Sequence, residues 1–235
     1  MTTTIFGYGS LMSIASTLRT MPNAHSFRPA VLDGYGRIFS LVSISGCRSG
    51  AANWETKEVG ALAIRSCGSS SPSSTRGSSG SKVYGCVFDI PEGELASYLE
   101  REHRYKPIQV DAWVHETAVD GGVSLAAGSM KKVPCWTVVE QSDEEYAATM
   151  SAEEWQERVG QYYNTGPLWG RKDVLPMRDY LASCVHAAWE LGGELWLKNL
   201  LDEATLADGN TSIRSYVRQH PGRFADLSPL VEHGK

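Results

Sequence analysis

The sequence lacks the features of a membrane protein or a nucleic-acid-binding protein. It has no apolar run near the ~18 residues that a spanning helix needs, and no basic region followed by an apolar core at its N-terminus. It has no block of basic residues, and its formal net charge is -5. Neither nucleic acid nor an anionic membrane surface is therefore expected as a partner. We predict a soluble, cytoplasmic protein.

Motifs for metal or redox chemistry are missing as well. The five cysteines are scattered and contain no CxxC pair, and the six histidines form no HExxH motif or other ligand cluster. Dispersed cysteines of this kind are typical of buried, reduced side chains. The sequence therefore predicts no bound metal and no cofactor.

A glycine-rich turn close to the N-terminus stands out against these absences. The hydrophobic lead-in at 4–6 predicts a strand that runs into the sequence Gly-Tyr-Gly-Ser-Leu at 7–11, and residues 11–19 are compatible with a short helix. Glycines allow close backbone approach, and a helix start presents free N–H groups. The dinucleotide fingerprint fails at Met12, and no P-loop or GxSxG motif occurs. The turn is either a binding loop or a sharp corner.

The remaining chain is rich in strand patterns first and in helical patterns later. Ser151 with Glu154 resembles a helix-capping box. Strands followed by helices favour an α+β fold over an alternating parallel one. The predicted strands lie within 27–45, 59–64, 82–90, 108–117 and 133–139, and the predicted helices within 91–104, 155–163, 179–191, 195–201 and 211–219.

A second informative stretch is the charged segment at 98–105, which contains Glu100 and Glu102. By composition alone it is typical of a solvated helix end. Its position between a helix and a strand, however, can present a carboxylate at the mouth of a β-rich fold. A buried carboxylate has a raised pKa and can act as a general base near neutral pH.

These stretches together resemble the gamma-glutamylcyclotransferase-like superfamily. The loop at 6–11 is similar to its N-terminal signature, followed by an Ala-Val-Leu-x-Gly-Tyr-x-Arg-x-Phe segment at 30–39 and a Val-Tyr-Gly-x-Val-Phe strand at 83–88. A leucine-bearing helix then ends on a glutamate shortly before Tyr105 and a valine-containing strand. The resemblance covers about residues 1–140.

The resemblance implies roles for six residues. Glu102 would be the general acid/base, and Tyr105 a pocket residue. Backbone N–H groups of the loop would hold the γ-glutamyl group of a small-molecule substrate, which assigns substrate binding to Tyr8, Gly9, Ser10 and Leu11. Glu100 is the rival for the base, although Glu102 better matches the spacing to Tyr105. Arg37 is interpreted as structural.

The resemblance also implies a fold and an activity. The expected architecture is α+β, with a mixed β-barrel-like sheet and flanking helices at 1–140. Independently of the resemblance, the Ser/Gly composition of 67–81 predicts a flexible insertion, and the helical patterns predict a C-terminal extension at 141–235. The extension either covers the barrel mouth or makes a homodimer contact. The expected enzyme cyclises a γ-glutamyl amino acid, peptide or amine, and forms 5-oxoproline and a free amine.

Two features leave the function open. The segment at 45–50 departs from the basic, Gly/Pro-containing segment expected of the glutathione-specific branch, so glutathione is not assigned as the substrate. A non-catalytic protein that binds a small ligand or a partner in the same cavity is an alternative. So is a hydrolase or acyltransferase that uses Ser10 as a nucleophile.

Overall fold

The computed structural model describes residues 1–67, 81–115 and 130–232. Its strands are β1 (Thr2–Gly7), β2 (His25–Asp33), β3 (Tyr35–Val42), β4 (Glu58–Ser66), β5 (Lys82–Pro91), β6 (Lys106–His115), β7 (Met130–Val139), β8 (Leu175–Pro176) and β9 (Thr205–Leu206). Residues 68–80, the greater part of the predicted Ser/Gly insertion, lie outside the described residues.

Helices follow and flank these strands. They are α1 (Ile14–Leu18), α2 (Ile44–Ser49), α3 (Leu95–Arg101), α4 (Asp143–Ala147), α5 (Ala152–Trp155), α6 (Arg178–Glu203), α7 (Ile213–Gln219) and α8 (Ser228–Glu232). Two 3₁₀ turns (Ser10–Met12 and Glu92–Glu94) and one π-helical turn (Gln156–Gly160) complete the described elements. In the part of the chain that is described, no helix is both long enough and apolar enough to cross a membrane.

The strands form two sheets, one of which closes into a barrel. The barrel order is β1-β5-β2-β6-β7, and the parallel contact between Ile5 of β1 and Trp136 of β7 completes the ring. The second sheet has the order β8-β4-β3-β9. This architecture confirms the predicted α+β class with a barrel-like sheet and flanking helices.

The last third of the chain is mainly helical, as predicted. The long helix α6 is kinked at Gly192 and Gly193, and the kink separates the two helical stretches predicted at 179–191 and 195–201. The predicted capping box of Ser151 and Glu154 is present at the start of α5. β8 pairs with β4 and β9 pairs with β3, so this part of the chain also contributes to the second sheet. The domain boundary near residue 140 stays a prediction.

The predicted extended segment at 27–45 is too long at its C-terminal end. The chain leaves the strand conformation after Val42 and forms α2 from Ile44 onward. The Ser43 hydroxyl accepts a hydrogen bond from the Gly46 N–H at 3.1 Å, which caps the helix. A serine at this position stabilises a helix start more than it stabilises a strand. The neighbouring residues Val42 and Ile44 are β-branched and favoured the prediction of a strand.

Candidate functional site

The glycine-rich loop leaves the end of β1 and is almost entirely buried. Tyr8 is 6% exposed and Leu11 is 8% exposed, and a 3₁₀ turn begins at Ser10. The Leu11 carbonyl accepts hydrogen bonds from the Thr17 hydroxyl at 3.1 Å and from the Cys86 thiol at 3.4 Å. The far end of the loop is therefore fixed to both α1 and β5.

The loop retains unused hydrogen-bond donors. Among the described residues, no hydrogen bond is donated by the backbone N–H of Gly9, Ser10 or Leu11. Gly9 and Leu11 are buried, and Ser10 is half-buried. Buried N–H groups without a partner are rare in folded proteins. These three groups can donate hydrogen bonds to the oxygen atoms of a ligand.

Arg37 on β3 stabilises the loop through hydrogen bonds of its side chain. Its Nε–H donates to the Tyr8 carbonyl at 2.9 Å, and its Nη2 group donates to the Tyr84 carbonyl. The residue is 3% exposed, and burial lowers the pKa of its guanidinium to about 10. The side chain is therefore still charged at neutral pH. Its contacts agree with the structural role expected from the sequence.

Glu102 lies at the turn between α3 and β6. Its N–H donates to the Tyr98 carbonyl at 3.0 Å, and its own carbonyl accepts from the Tyr105 N–H at 2.8 Å. These two bonds reverse the chain and place both side chains at the same edge of the barrel. The Glu102 side chain is 15% exposed, and its Oε1 lies 2.9 Å from Nε of Arg101.

The Glu102 carboxyl has the electrostatics of a general base. Burial raises the pKa of Glu102, and the positive charges of Arg101 and Arg104 act in the opposite direction without cancelling the rise. A carboxylate of this kind binds a proton more readily than an exposed glutamate does. It is therefore better suited to accepting and returning a proton near neutral pH.

The loop and Glu102 share one electrostatic environment. Burial raises the pKa of the Tyr8 hydroxyl, and the negative charge of Glu102 adds to the rise. The same carboxylate raises the pKa of three further buried phenols, after burial itself: Tyr98, Tyr105 and Tyr180. The charge of Glu102 thus acts on the phenols of both Tyr8 and Tyr105.

Glu100 and Ser10 lie in different environments from Glu102. The Glu100 side chain is 67% exposed and pairs with Arg158 at 2.9 Å, so it faces solvent. For Ser10, no hydrogen bond in the described residues joins its hydroxyl to a histidine or a carboxylate that would activate it. Neither residue has the buried, partnered geometry of a catalytic group.

A cavity of about 540 Å³ opens beside Glu102. Glu102 and Tyr105 line it together with the apolar side chains of Leu99, Pro107 and Val138. The Tyr105 side chain is held rigidly, because its hydroxyl donates to the Leu62 carbonyl at 2.9 Å. The cavity therefore has room for an uncharged or mixed chemical group directly next to the carboxylate.

His103 also lines this cavity and was not predicted from the sequence. Its Nδ1 lies 2.6 Å from the Tyr146 hydroxyl, and its Nε2 lies 3.3 Å from Nη1 of Arg104. Burial lowers the pKa of His103 to about 4. The imidazole is thus neutral at pH 7 with both nitrogens engaged, so it shapes the wall and does not compete with Glu102 as the base.

The helix α6 covers the loop, and sequence reasoning missed this contact. A Cβ atom built on Gly9 would lie 3.0 Å from the Tyr180 hydroxyl, 3.4 Å from Cδ2 of Leu62 and 3.9 Å from Sγ of Cys184. The apolar stripe of α6 indicated a buried face. It carried no information on which part of the barrel that face would contact.

We expect Gly9→Ala to lower the stability of the protein by about 1 kcal/mol, because the added methyl group must displace Tyr180 or Leu62. For a chain of this size the melting temperature should fall by roughly 3 °C. The matched control is Gly222→Ala, where no atom lies within 4 Å of the added carbon. Equal melting temperatures for both variants would show that α6 does not rest on the loop.

Comparison with solved structures finds similar folds over most of the chain. A protein described as a gamma-glutamyl cyclotransferase is 17% identical, with 85% of this chain and 86% of that one covered and a TM-score of 0.47. A human protein described as uncharacterised is 18% identical, with 84% and 86% covered and a TM-score of 0.47. A yeast gamma-glutamyl cyclotransferase specific to glutathione is 14% identical, with 86% and 97% covered and a TM-score of 0.47.

Searches of protein families and of curated sequences return no match. Two of these similar structures are described as gamma-glutamyl cyclotransferases, which is the superfamily that the sequence resembles. At these identities and TM-scores, the function has to be argued from the site itself.

Proposed function

We propose that this protein is a gamma-glutamylcyclotransferase-type enzyme. It would convert a γ-glutamyl amino acid, peptide or amine into 5-oxoproline and the free amine. One observation carries the proposal: the Glu102 carboxyl, which is 15% exposed and lines a cavity, also acts electrostatically on Tyr8, the first residue of a loop whose N–H donors have no partner among the described residues. An acid/base group and an oxyanion-binding loop are the two components that this reaction requires.

Glu102 would perform both proton transfers. The α-amine of the substrate attacks its own γ-carbonyl carbon, and Glu102 accepts the proton that the amine loses. The C–N bond to the leaving group then breaks, and the protonated Glu102 returns that proton to the departing nitrogen. One carboxyl group serves both steps, because it ends the cycle in the form in which it began.

The loop would stabilise the tetrahedral intermediate. Attack on the γ-carbonyl places negative charge on its oxygen, which needs fixed donors. The N–H groups of Gly9, Ser10 and Leu11, which have no partner in the described part of the chain, are such donors, and the bonds of the Leu11 carbonyl fix the end of the loop. Ring closure is unimolecular, so holding the substrate folded also contributes to the rate.

The cavity beside Glu102 would receive the leaving amine. The departing nitrogen must approach Glu102 to be protonated, and this cavity is the space that borders the carboxyl group. Tyr105 would form a rigid wall of the site, as its hydroxyl is anchored on the Leu62 carbonyl. The mixed lining is compatible with an amino acid, a peptide or an alkylamine.

The contact between α6 and the loop favours a second candidate, a non-catalytic binding protein. The Tyr180 hydroxyl lies close to Gly9, where the substrate carbonyl would bind. Incubating the protein with γ-glutamyl-alanine, glutathione and γ-glutamyl-amines and assaying 5-oxoproline separates the two. Formation of 5-oxoproline from any of them supports the enzyme, and no product from all of them favours the binding protein.

The pH dependence provides a further prediction. Turnover should rise with pH as Glu102 loses its proton, with a midpoint above the ordinary range of a glutamate, because burial raises its pKa. Arg101→Gln removes a cation 2.9 Å from Oε1 and should shift this midpoint to higher pH. Profiles of kcat/KM between pH 4 and 9 measure both. An unshifted midpoint in Arg101→Gln would mean that another group controls the rate.

A further inference from the structure

A segment that follows the barrel strands forms part of the wall of the 540 Å³ cavity. Glu145, Ala148 and Thr149, from α4 and the turn after it, line the cavity together with residues of α3 and β6. The segment is bound to the turn between α3 and β6, because the Tyr146 hydroxyl lies 2.6 Å from Nδ1 of His103. The chemical character of this wall therefore helps to decide which groups the cavity accepts.

The side-chain hydrogen-bond donors of the lining already have acceptors within the protein. Three of them donate to backbone carbonyls: the Tyr105 hydroxyl at 2.9 Å, the Gln141 amide at 2.8 Å and the Thr149 hydroxyl at 2.7 Å. Both ring nitrogens of His103 are engaged as well. A ligand group that needs several donors is therefore poorly served by this wall.

The charges of the lining are equally unfavourable for an anion. Lys106 is the one cation among the described residues that line the cavity at pH 7, and its Nζ donates to Oε1 of Glu145 at 2.8 Å. Glu102 is a second acidic group of the lining, and Arg101 beside it is paired with its carboxyl. A carboxylate that entered the cavity would lose hydration without gaining a free donor or a free cation.

The rest of the lining is mainly apolar. Leu99, Pro107, Val138 and Ala148 present no charged or hydrogen-bonding side-chain atoms, and Tyr105 stands beside them with its hydroxyl turned to a carbonyl of the protein. Burial against such side chains stabilises an alkyl group, because it removes apolar surface from water. The cavity is thus suited to an uncharged, apolar group.

We infer that this cavity selects a leaving amine that is apolar and carries no carboxylate, with Glu145 enforcing the selection by holding Lys106. The inference rests on the proposed function for the reaction, and it narrows the substrate to a γ-glutamyl alkylamine in preference to a γ-glutamyl amino acid or peptide. Glu145 determines specificity without touching a reacting atom, since it keeps the cation from pairing with a carboxylate on the leaving group.

Three substrates of matched shape test the selection on the wild-type protein. They are γ-glutamyl-butylamine, γ-glutamyl-norvaline, which adds one carboxylate to the same carbon chain, and γ-glutamyl-norvalinamide, which adds a neutral amide of similar size. We expect kcat/KM for 5-oxoproline formation to be about tenfold lower for the norvaline compound than for the butylamine compound, because its carboxylate is desolvated without compensation. The norvalinamide compound should lie well above the norvaline compound. Equal values for the butylamine and norvaline compounds, or a norvalinamide compound as poor as the norvaline one, would overturn the inference.

Glu145→Gln tests the ion pair. Oε2 of Glu145 accepts from the Ser142 N–H at 3.0 Å, and Oε1 accepts from Lys106. Glutamine can keep the first bond, since either residue serves in a capping box, but it loses the charge that holds Lys106. The released cation should reduce the preference for the butylamine over the norvaline compound by about threefold, in line with the strength of an exposed ion pair.

Glu144→Gln is the matched control, because it removes the same charge from the same helix and leaves Lys106 paired with Glu145. Glu144 is exposed, so this variant should keep the full preference and melt near the wild-type temperature. An unchanged preference in Glu145→Gln, or the same loss in both variants, would contradict the role of Glu145.

The selection and the proposed function can fail separately. If the wild-type protein forms 5-oxoproline equally well from the butylamine and norvaline compounds, the selection fails and the proposed function stands. If it forms none from any of the three, calorimetry with the same compounds decides. Tighter binding of the butylamine compound than of the norvaline compound then supports the selection while the catalytic proposal fails, and equal affinities or no binding overturn both.

Discussion

Replacing Glu102 with glutamine is expected to reduce turnover by roughly 10²–10⁴-fold, the usual contribution of a general acid/base. Glutamine has the same shape as glutamate, and its carbonyl oxygen can still accept a hydrogen bond from Arg101. It cannot, however, take a proton from the attacking amine or return one to the leaving nitrogen. The loss should appear in kcat more than in KM, because the loop that we propose to bind the substrate is unchanged.

The same substitution should leave the fold intact. Burial raises the pKa of Glu102, which means that the folded protein favours the neutral carboxyl more than the unfolded chain does. The free energy of unfolding should therefore increase as pH falls and Glu102 takes up a proton, and it should decrease at higher pH, where Glu102 is charged. A permanently neutral glutamine should melt at the wild-type temperature or above it at pH 7. Thermal unfolding followed by circular dichroism measures this.

Glu100→Gln is the matched control for Glu102→Gln. The side chain is on the same helix end but is 67% exposed and pairs with Arg158. Exposed ion pairs contribute little to stability, so both turnover and melting temperature should stay near the wild-type values. If Glu100→Gln is inactive and Glu102→Gln is fully active, the general base has been assigned to the wrong residue.

Local sequence signals were sufficient to predict the parts of the site that depend on neighbouring residues. The glycine spacing around Tyr8 predicted a turn after the first strand, and that turn is present between β1 and the 3₁₀ turn at Ser10. The helix before Glu102 and the strand after it were predicted from their periodicities. These features are determined over a few residues, and a single sequence contains that information.

Long-range contacts were not predictable in this way. Tyr180 lies on Gly9 and Asn199 binds Arg37, although each pair is far apart in the sequence. The stripe on α6 indicated only that one face is buried, because an apolar pattern does not specify its partner. Arg37 was interpreted as structural from the sequence, but its contacts to the Tyr8 and Tyr84 carbonyls can be seen only when the surrounding elements are in place.

Gly85→Ala is expected to have the largest effect on stability, a loss of about 3 kcal/mol. A Cβ atom at this position of β5 would overlap the Gly7 carbonyl oxygen and lie 2.9 Å from Cζ of Phe6. Backbone atoms of a paired strand cannot move aside as a flexible side chain can. β1 would have to separate from β5, and the melting temperature should fall by roughly 10 °C.

The consequence should extend to the site, because Gly7 is the last residue of β1 before the loop. The Gly85 carbonyl also accepts a hydrogen bond from Nε1 of Trp196 at 2.9 Å, which connects this point of the barrel to α6. A displacement of β1 at Gly85 would therefore move both the loop and the helix α6 that contacts it. We therefore expect Gly85→Ala to lose activity even at temperatures where it remains folded.

Gly93→Ala provides the control for a glycine at the exposed end of the same segment. An added Cβ there has no atom within 4 Å, so its melting temperature should stay within about 2 °C of the wild type. If Gly85→Ala had the same melting temperature as Gly93→Ala, the close approach of β1 and β5 would be contradicted. The pairing that brings Gly7 opposite Cys86 would then be wrong, and the loop could not occupy the position that the proposed mechanism requires.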